Sequence, residues 1–196
     1  MEAIILHKTF LSWIFPAFLL IFGLIAFLRV FYPKHFAEFQ KLLFNNKYIV
    51  IYGKKERKLH LFTVVLYLIQ CLSLALLLYV SLKYYGVIYL YSVKFMFLEV
   101  VLLLFVVLLL KLVIQRWISS LFEITDFSRE YIFSRIAYSS YGAIMMVMAL
   151  FLGVYLPIIG EKYLFLLLLM LFCILLTINI LSWVKIIKDN QKEIKP

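Results

Sequence analysis

Apolar residues along this chain come in long unbroken runs. Five stretches, about residues 10–30, 61–82, 94–114, 136–156 and 163–183, are apolar nearly throughout. A bilayer's hydrocarbon core, about 30 Å thick, is crossed by about 20 apolar residues in a helix. Each stretch has that length. Strands of a membrane barrel would instead alternate apolar and polar residues over about ten positions. The pattern therefore predicts an all-α fold, a polytopic transmembrane helical bundle of five spans forming a single membrane domain. Pro16 and Gly23 fall inside the first stretch, where membrane helices tolerate them. That stretch is too long for the apolar region of a cleaved signal peptide, and no small-residue cleavage site precedes Arg29. Pro157 stops the fourth.

The connections carry a second pattern. After Pro33, a residue suited to a helix start, the apolar residues Phe36, Phe39, Leu42 and Leu43 recur at helical spacing. Lys34, Glu38 and Lys41 take the opposite face, and Asn45 and Asn46 can end the helix. An amphipathic helix over 33–44, lying in the membrane interface, follows. The connection 115–135 mixes Trp117, Ile118, Leu121, Phe122, Phe127 and Tyr131 with charged residues. It reads as extensions of the two flanking spans, broken near Thr125 to Ser128, with Asp126 or Ser128 as a cap.

Composition narrows the class. The 196 residues are 66% hydrophobic and 15% charged, where a soluble domain runs near 45–50% and about 25%. One soluble core of this size cannot hide so much apolar surface. A soluble enzyme, a secreted disulfide scaffold and a disordered chain are all excluded. Cys71 and Cys173 lie inside apolar runs, which favours buried free thiols over a disulfide.

Charge then orients the spans. Of the 20 Lys and Arg residues, 16 fall in the connections after the first, third and fifth stretches, and four on the other side. Basic residues collect on the cytoplasmic side, so the N-terminus is expected outside and the C-terminus in the cytoplasm. Tyr84, Tyr85, Tyr89 and Tyr91 crowd the short outer connection, as in an interfacial aromatic belt. Lys54, Lys55, Arg57 and Lys58 form a candidate cytoplasmic basic face. Its expected partner is anionic lipid headgroups. The net charge of +10 finds its explanation there and not in nucleic acid, for which no binding module is readable.

The remaining information lies in polar residues within apolar stretches. Glu99 is the one acidic residue inside a predicted span, about 7.5 Å along the helix from Lys94. An ionised carboxylate at that depth needs a partner, a proton or hydration. Gln70 lies near the middle of the second span, and Asn179, with Thr177 and Ser182 nearby, in the fifth. Amides in hydrocarbon seek polar side chains on other helices, so both are candidate packing contacts. Ser139, Ser140, Gly142 and Ala143 form a small-residue cluster, and Ser139 and Ala143 have the spacing of a close helix approach. Met145, Met146 and Met148 read as packing residues. His7, His35 and His60 sit at span boundaries, far apart in sequence, and no hydrolase, zinc or phosphate-loop motif occurs. No catalytic residue, metal ligand or cofactor is expected.

Several short motifs resemble a known family. They are Arg29 to Pro33 closing the first span, Leu43 to Asn46, Lys111 with Ile118 to Phe122, Tyr131 to Phe133, and Leu156 with Pro157. Together the order resembles an uncharacterised Bacteroidota family of small multi-pass inner-membrane proteins, a domain of unknown function. The resemblance implies a bacterial inner-membrane protein but no activity and no catalytic residue. It also implies a further apolar segment after the basic stretch, whereas the sequence stops at Lys195 and Pro196.

The leading expectation is a non-enzymatic accessory or scaffold subunit of a larger cell-envelope assembly, with other membrane subunits as partners. Secretion and gliding machineries are the assemblies that the lineage brings forward. A small transporter or channel component using Glu99 and Gln70 is the alternative. A lipid-modifying enzyme working at the interface is a third reading.

Overall fold

A computed structural model describes residues 2–42, 48, 49, 52, 61–84, 93–121, 125–155, 170, 173, 174, 177 and 180. The apolar runs fold as helices because hydrocarbon leaves backbone groups no partner but one another. In chain order these are α1 (Glu2–Phe31), α2 (Pro33–Gln40), α3 (Leu61–Tyr84), α4 (Val93–Leu121) and α5 (Thr125–Tyr155). Among the described residues there is no strand. Four of the helices are long and apolar enough to cross a membrane, through Ile14–Phe31, Leu61–Leu82, Met96–Ile118 and Tyr131–Tyr155. The fifth predicted span, 163–183, lies outside the described residues save five positions. Met170, Cys173, Ile174, Thr177 and Ile180 are helical and exposed.

The helices outrun the predicted spans. α1 begins at Glu2 where the apolar run began at Phe10, and α4 and α5 extend into the connection between them. Helix-compatible residues continue past the apolar stretch, and hydropathy marks only the part that lipid surrounds. Thr125 is already helical, so Asp126 and Ser128 lie inside α5. α5 is described as far as Tyr155, and Pro157 lies outside the described residues.

α3 is the central helix. It packs most extensively on α5, then on α4 and α1. Over half of its span is buried, as is over half of α5's, whereas no residue of the α4 span is. The seam between α3 and α5 is close because α5 turns Ser134, Ala137, Ser140, Ala143 and Val147 toward the interior, all buried. Their spacing follows the helical repeat. α3 meets them with Phe62, Leu66, Ile69, Ser73 and Leu76. Between membrane helices such fit matters more than apolarity, because lipid is as apolar as leucine.

Aromatic side chains fix both ends. Where α1 ends and α3 begins, Phe62 lies edge-on to Tyr32 with ring centres 5.9 Å apart, and 6.1 Å from Phe39. Phe39 in turn reaches Tyr141 of α5 at 5.8 Å. At the other end Phe18 of α1 meets Phe151 and Tyr155 of α5 at 5.3 and 5.9 Å, and Tyr79 of α3 meets Phe97 of α4 at 5.5 Å. The long helices therefore run alternately up and down. Arg29, Lys111, Arg116 and Arg135 gather at the end marked by Phe62.

The helix after Pro33 is shorter than expected, ending at Gln40. Its apolar face is also placed differently. Phe36, Phe39 and Leu42 belong to the protein's own core, so they dock on the bundle where an interfacial helix would have faced lipid. Lys41 remains exposed, 4.0 Å from Glu38.

Candidate functional site

α3, α4 and α5 diverge toward their basic end and leave a cavity of about 180 Å³. α3 contributes Tyr67 and Gln70, which with Thr63 recur at helical spacing on one face. α4 contributes Lys111 and Gln115, four residues apart. α5 contributes Arg135 and Ser139, again four apart. One helical turn thus brings each pair onto the same wall. Leu74, Leu108, Leu112 and Ile136 complete the apolar part of the lining.

The electrostatics of this cavity are one-sided. Lys111 and Arg135 both line it, and no carboxylate occurs among the described residues that do. Gln70 is 92% buried, being 8% exposed, and its Oε1 has no hydrogen-bond partner among the described residues. The Tyr67 hydroxyl is likewise buried without one, as are Thr63 Oγ1 and Ser134 Oγ on the adjoining faces. Buried polar atoms in native proteins nearly always have a partner, protein or otherwise. Two of these, on Tyr67 and Gln70, line the cavity and mark a place suited to polar contents. Two cations, a phenol, two amides and a hydroxyl can bind an anion and hydrogen-bond its neighbours.

On one side the cavity opens along α4. A more open groove of about 510 Å³ shares Lys111, Gln115 and Arg135 with it and is otherwise apolar, through Val107, Leu110, Ile114 and Ile118.

The residues singled out by sequence fall in different places. Gln70 and Ser139 line the cavity. The carbonyl oxygen of Gln70 finds no partner among the described residues. Glu99 is elsewhere. It is exposed on α4, on the stripe of Leu102, Leu103 and Val106, which are 51–63% exposed, and it does not line the cavity. Ala143 is fully buried between α3 and α5, so the small-residue cluster is consumed inside the bundle. Met145 and Met148 are about half exposed and only Met146 packs in the core. Cys71 is a buried free thiol, as expected, whereas Cys173 is exposed. Asn179, Lys54, Lys55, Arg57 and Lys58 lie outside the described residues.

Sequence reasoning missed Tyr67, Lys111 and Arg135 as site residues. Arg135 had counted only toward the charge of a connection, and Lys111 toward that charge and a family motif. Their signal was positional: both lie inside α-helical spans, Lys111 about 10 Å from Ile118 and Arg135 about 6 Å from Tyr131 at 1.5 Å per residue. Among the described residues no three His, Cys, Asp or Glu side chains group as metal ligands.

Comparison with known proteins places the chain in a family. The domain of unknown function DUF4271 matches residues 14–196, and the chain belongs to it. No curated protein and no solved structure matches the chain.

Proposed function

We propose that this member of the DUF4271 family is a non-enzymatic integral membrane subunit of a larger cell-envelope assembly, of the kind that secretion and gliding machineries represent. The observation that supports it is Glu99. Its carboxylate stands on the exposed stripe of α4, and it has no ion pair among the described residues. Hydrocarbon offers a carboxylate no donors, and side chains of this kind turn toward protein or water. A neighbouring polypeptide laid along α4 supplies them. α4 is also the helix with most surface to offer, since no residue of its span is buried within the chain.

In this reading the protein has five spans, its N-terminus outside and its C-terminus in the cytoplasm of a bacterial inner membrane. The short helix α2 and the basic residues Lys54, Lys55, Arg57 and Lys58 lie on the cytoplasmic side, against anionic headgroups. A pathway for transport would want its polar groups in line. Gln70 and Glu99 instead lie in different surroundings, the one inside the cavity and the other on the outer face of α4.

The test is photo-crosslinking in native membranes. A photoreactive side chain at Leu102 or Leu103 should join the protein to another polypeptide. The same group at Leu108, on the inner wall, should not. Glu99→Ala should weaken the adduct while leaving the fold intact. Adducts to lipid alone at both outward positions would overturn the subunit reading.

A further inference from the structure

We propose that the cavity between α3, α4 and α5 binds an anionic phospholipid with a hydroxyl-bearing headgroup, such as phosphatidylglycerol. The phosphate lies between Lys111 and Arg135, the headgroup hydroxyl reaches Gln70, and an acyl chain lies in the groove of α4. The inference does not rest on the subunit reading, because its observations concern the cavity and groove around Lys111 and Arg135 and make no use of Glu99.

Three observations carry it. The first is charge. Lys111 and Arg135 face one cavity with no carboxylate among its described lining residues. Two cations on the wall of one cavity favour whatever anion comes between them, and an arginine's planar fork suits a phosphate especially well.

The second is hydrogen bonding. Gln70 Oε1 is an acceptor, buried and unpartnered among the described residues, while the Tyr67 hydroxyl is a buried donor. The phosphodiester of a phospholipid satisfies the phenol and the cations but, fully ionised, offers an acceptor no donor. A headgroup hydroxyl beyond the phosphate gives Gln70 its donor. The shape of the unmet demand is therefore anion plus hydroxyl, which a choline headgroup does not supply.

The third is continuity with lipid. The groove that shares Lys111, Gln115 and Arg135 with the cavity is lined by Val107, Leu110, Ile114 and Ile118. It is open to the side, where acyl chains run. Both cations lie within about 10 Å of the ends of their spans. Long basic stems reach the headgroup layer from that depth. A soluble anion would use the cavity and leave the groove idle; a phospholipid uses both.

The experiment uses the full chain, purified in mild detergent and exchanged into bilayer discs of phosphatidylcholine with a minority of phosphatidylglycerol. Retained lipid is read by native mass spectrometry, and spin-labelled phosphatidylglycerol reports its immobilisation. Phosphatidylglycerol should be retained over phosphatidylcholine. Lys111→Gln with Arg135→Gln should reduce retention by about thirtyfold, on the usual worth of two basic residues against anionic lipid. Lys111→Arg, which keeps the charge, and Lys41→Gln, outside the cavity, should leave it unchanged. Gln70→Leu should erase the preference for phosphatidylglycerol over phosphatidic acid, which carries no headgroup hydroxyl. The spin-label and Gln70 measurements hold even where the double variant does not fold. Equal retention of phosphatidylglycerol and phosphatidylcholine overturns the proposal. So does binding of inorganic phosphate by the delipidated protein without any phosphatidylglycerol retention.

Discussion

The hydroxyl of Ser140 on α5 donates a hydrogen bond of 3.2 Å to the backbone carbonyl of Leu66 on α3. A side chain this short reaches a backbone oxygen on another helix only where the two helices nearly touch. Ala137, Ser140 and Ala143, each at most 2% exposed, provide that approach. Small residues thus hold α3 and α5 together. Ser139, one residue along, is turned to the cavity instead.

Bulk should therefore act differently at the two positions. Ala143→Leu forces side chains into a closed seam and should cost about 1–3 kcal/mol, the usual range for overpacking. Ser139→Leu has the cavity to enter and should change stability by less than about 0.5 kcal/mol. Thermal unfolding of the two variants in one detergent checks the order. Equal midpoints would mean that the seam is not closed.

Phe62 should be the most costly aromatic to remove. It is 1% exposed and has the rings of Tyr32, His35, Phe39 and Tyr48 within 6.3 Å. Phe62→Ala should destabilise by about 3–5 kcal/mol, through lost contacts and the cavity left behind. Because these contacts also tie α2 to the bundle, the variant should be cut faster within 33–41 in limited proteolysis. Phe62→Leu should recover part of both effects.

Gln70 should be a residue whose loss stabilises the delipidated protein. Its buried carbonyl oxygen lacks a partner among the described residues, and such a group carries a cost of about 1–3 kcal/mol. Gln70→Leu, close to it in volume, should raise the unfolding midpoint in lipid-free detergent. Added phosphatidylglycerol should narrow the gap by stabilising the native residue, since a ligand that binds only the folded state raises its stability. A lower midpoint for Gln70→Leu in lipid-free detergent would show that the amide is satisfied.

The proposed orientation is open to labelling. In a background where Cys71 and Cys173 are replaced by alanine, a single cysteine at Lys41 should react with an impermeant thiol reagent only from the cytoplasm. One at Gly160 should react only from the outside. Reaction of both from the same side would remove the five-span arrangement.

Much of the fold was legible in the sequence, because a bilayer imposes one length and one backbone solution on whatever crosses it. The apolar run at 61–82 lies within α3, and nearly all of that at 136–156 lies within α5. The reading also separated helix from strand correctly, since continuous runs leave no alternating face. The true helix ends were less legible: α1, α4 and α5 continue through residues that are helix-compatible but not apolar enough for lipid.

The site belongs to the tertiary structure. Within lipid, apolar residues are acceptable facing either a neighbouring helix or an acyl chain, so hydropathy does not say which side of a span turns inward. Packing decided that Ala143 is interior and Glu99 exterior, that the apolar face of α2 docks on Phe62 and Tyr141, and that Gln70 meets a cavity in place of a partner. It also joined Lys111 and Arg135, 24 positions apart, across one small space. Sequence determined which segments are long and apolar enough to cross a membrane and where the basic residues fall along the chain. Only the rotation of each helix about its axis, set by the fit of small residues at the α3 and α5 seam, decided which charges meet.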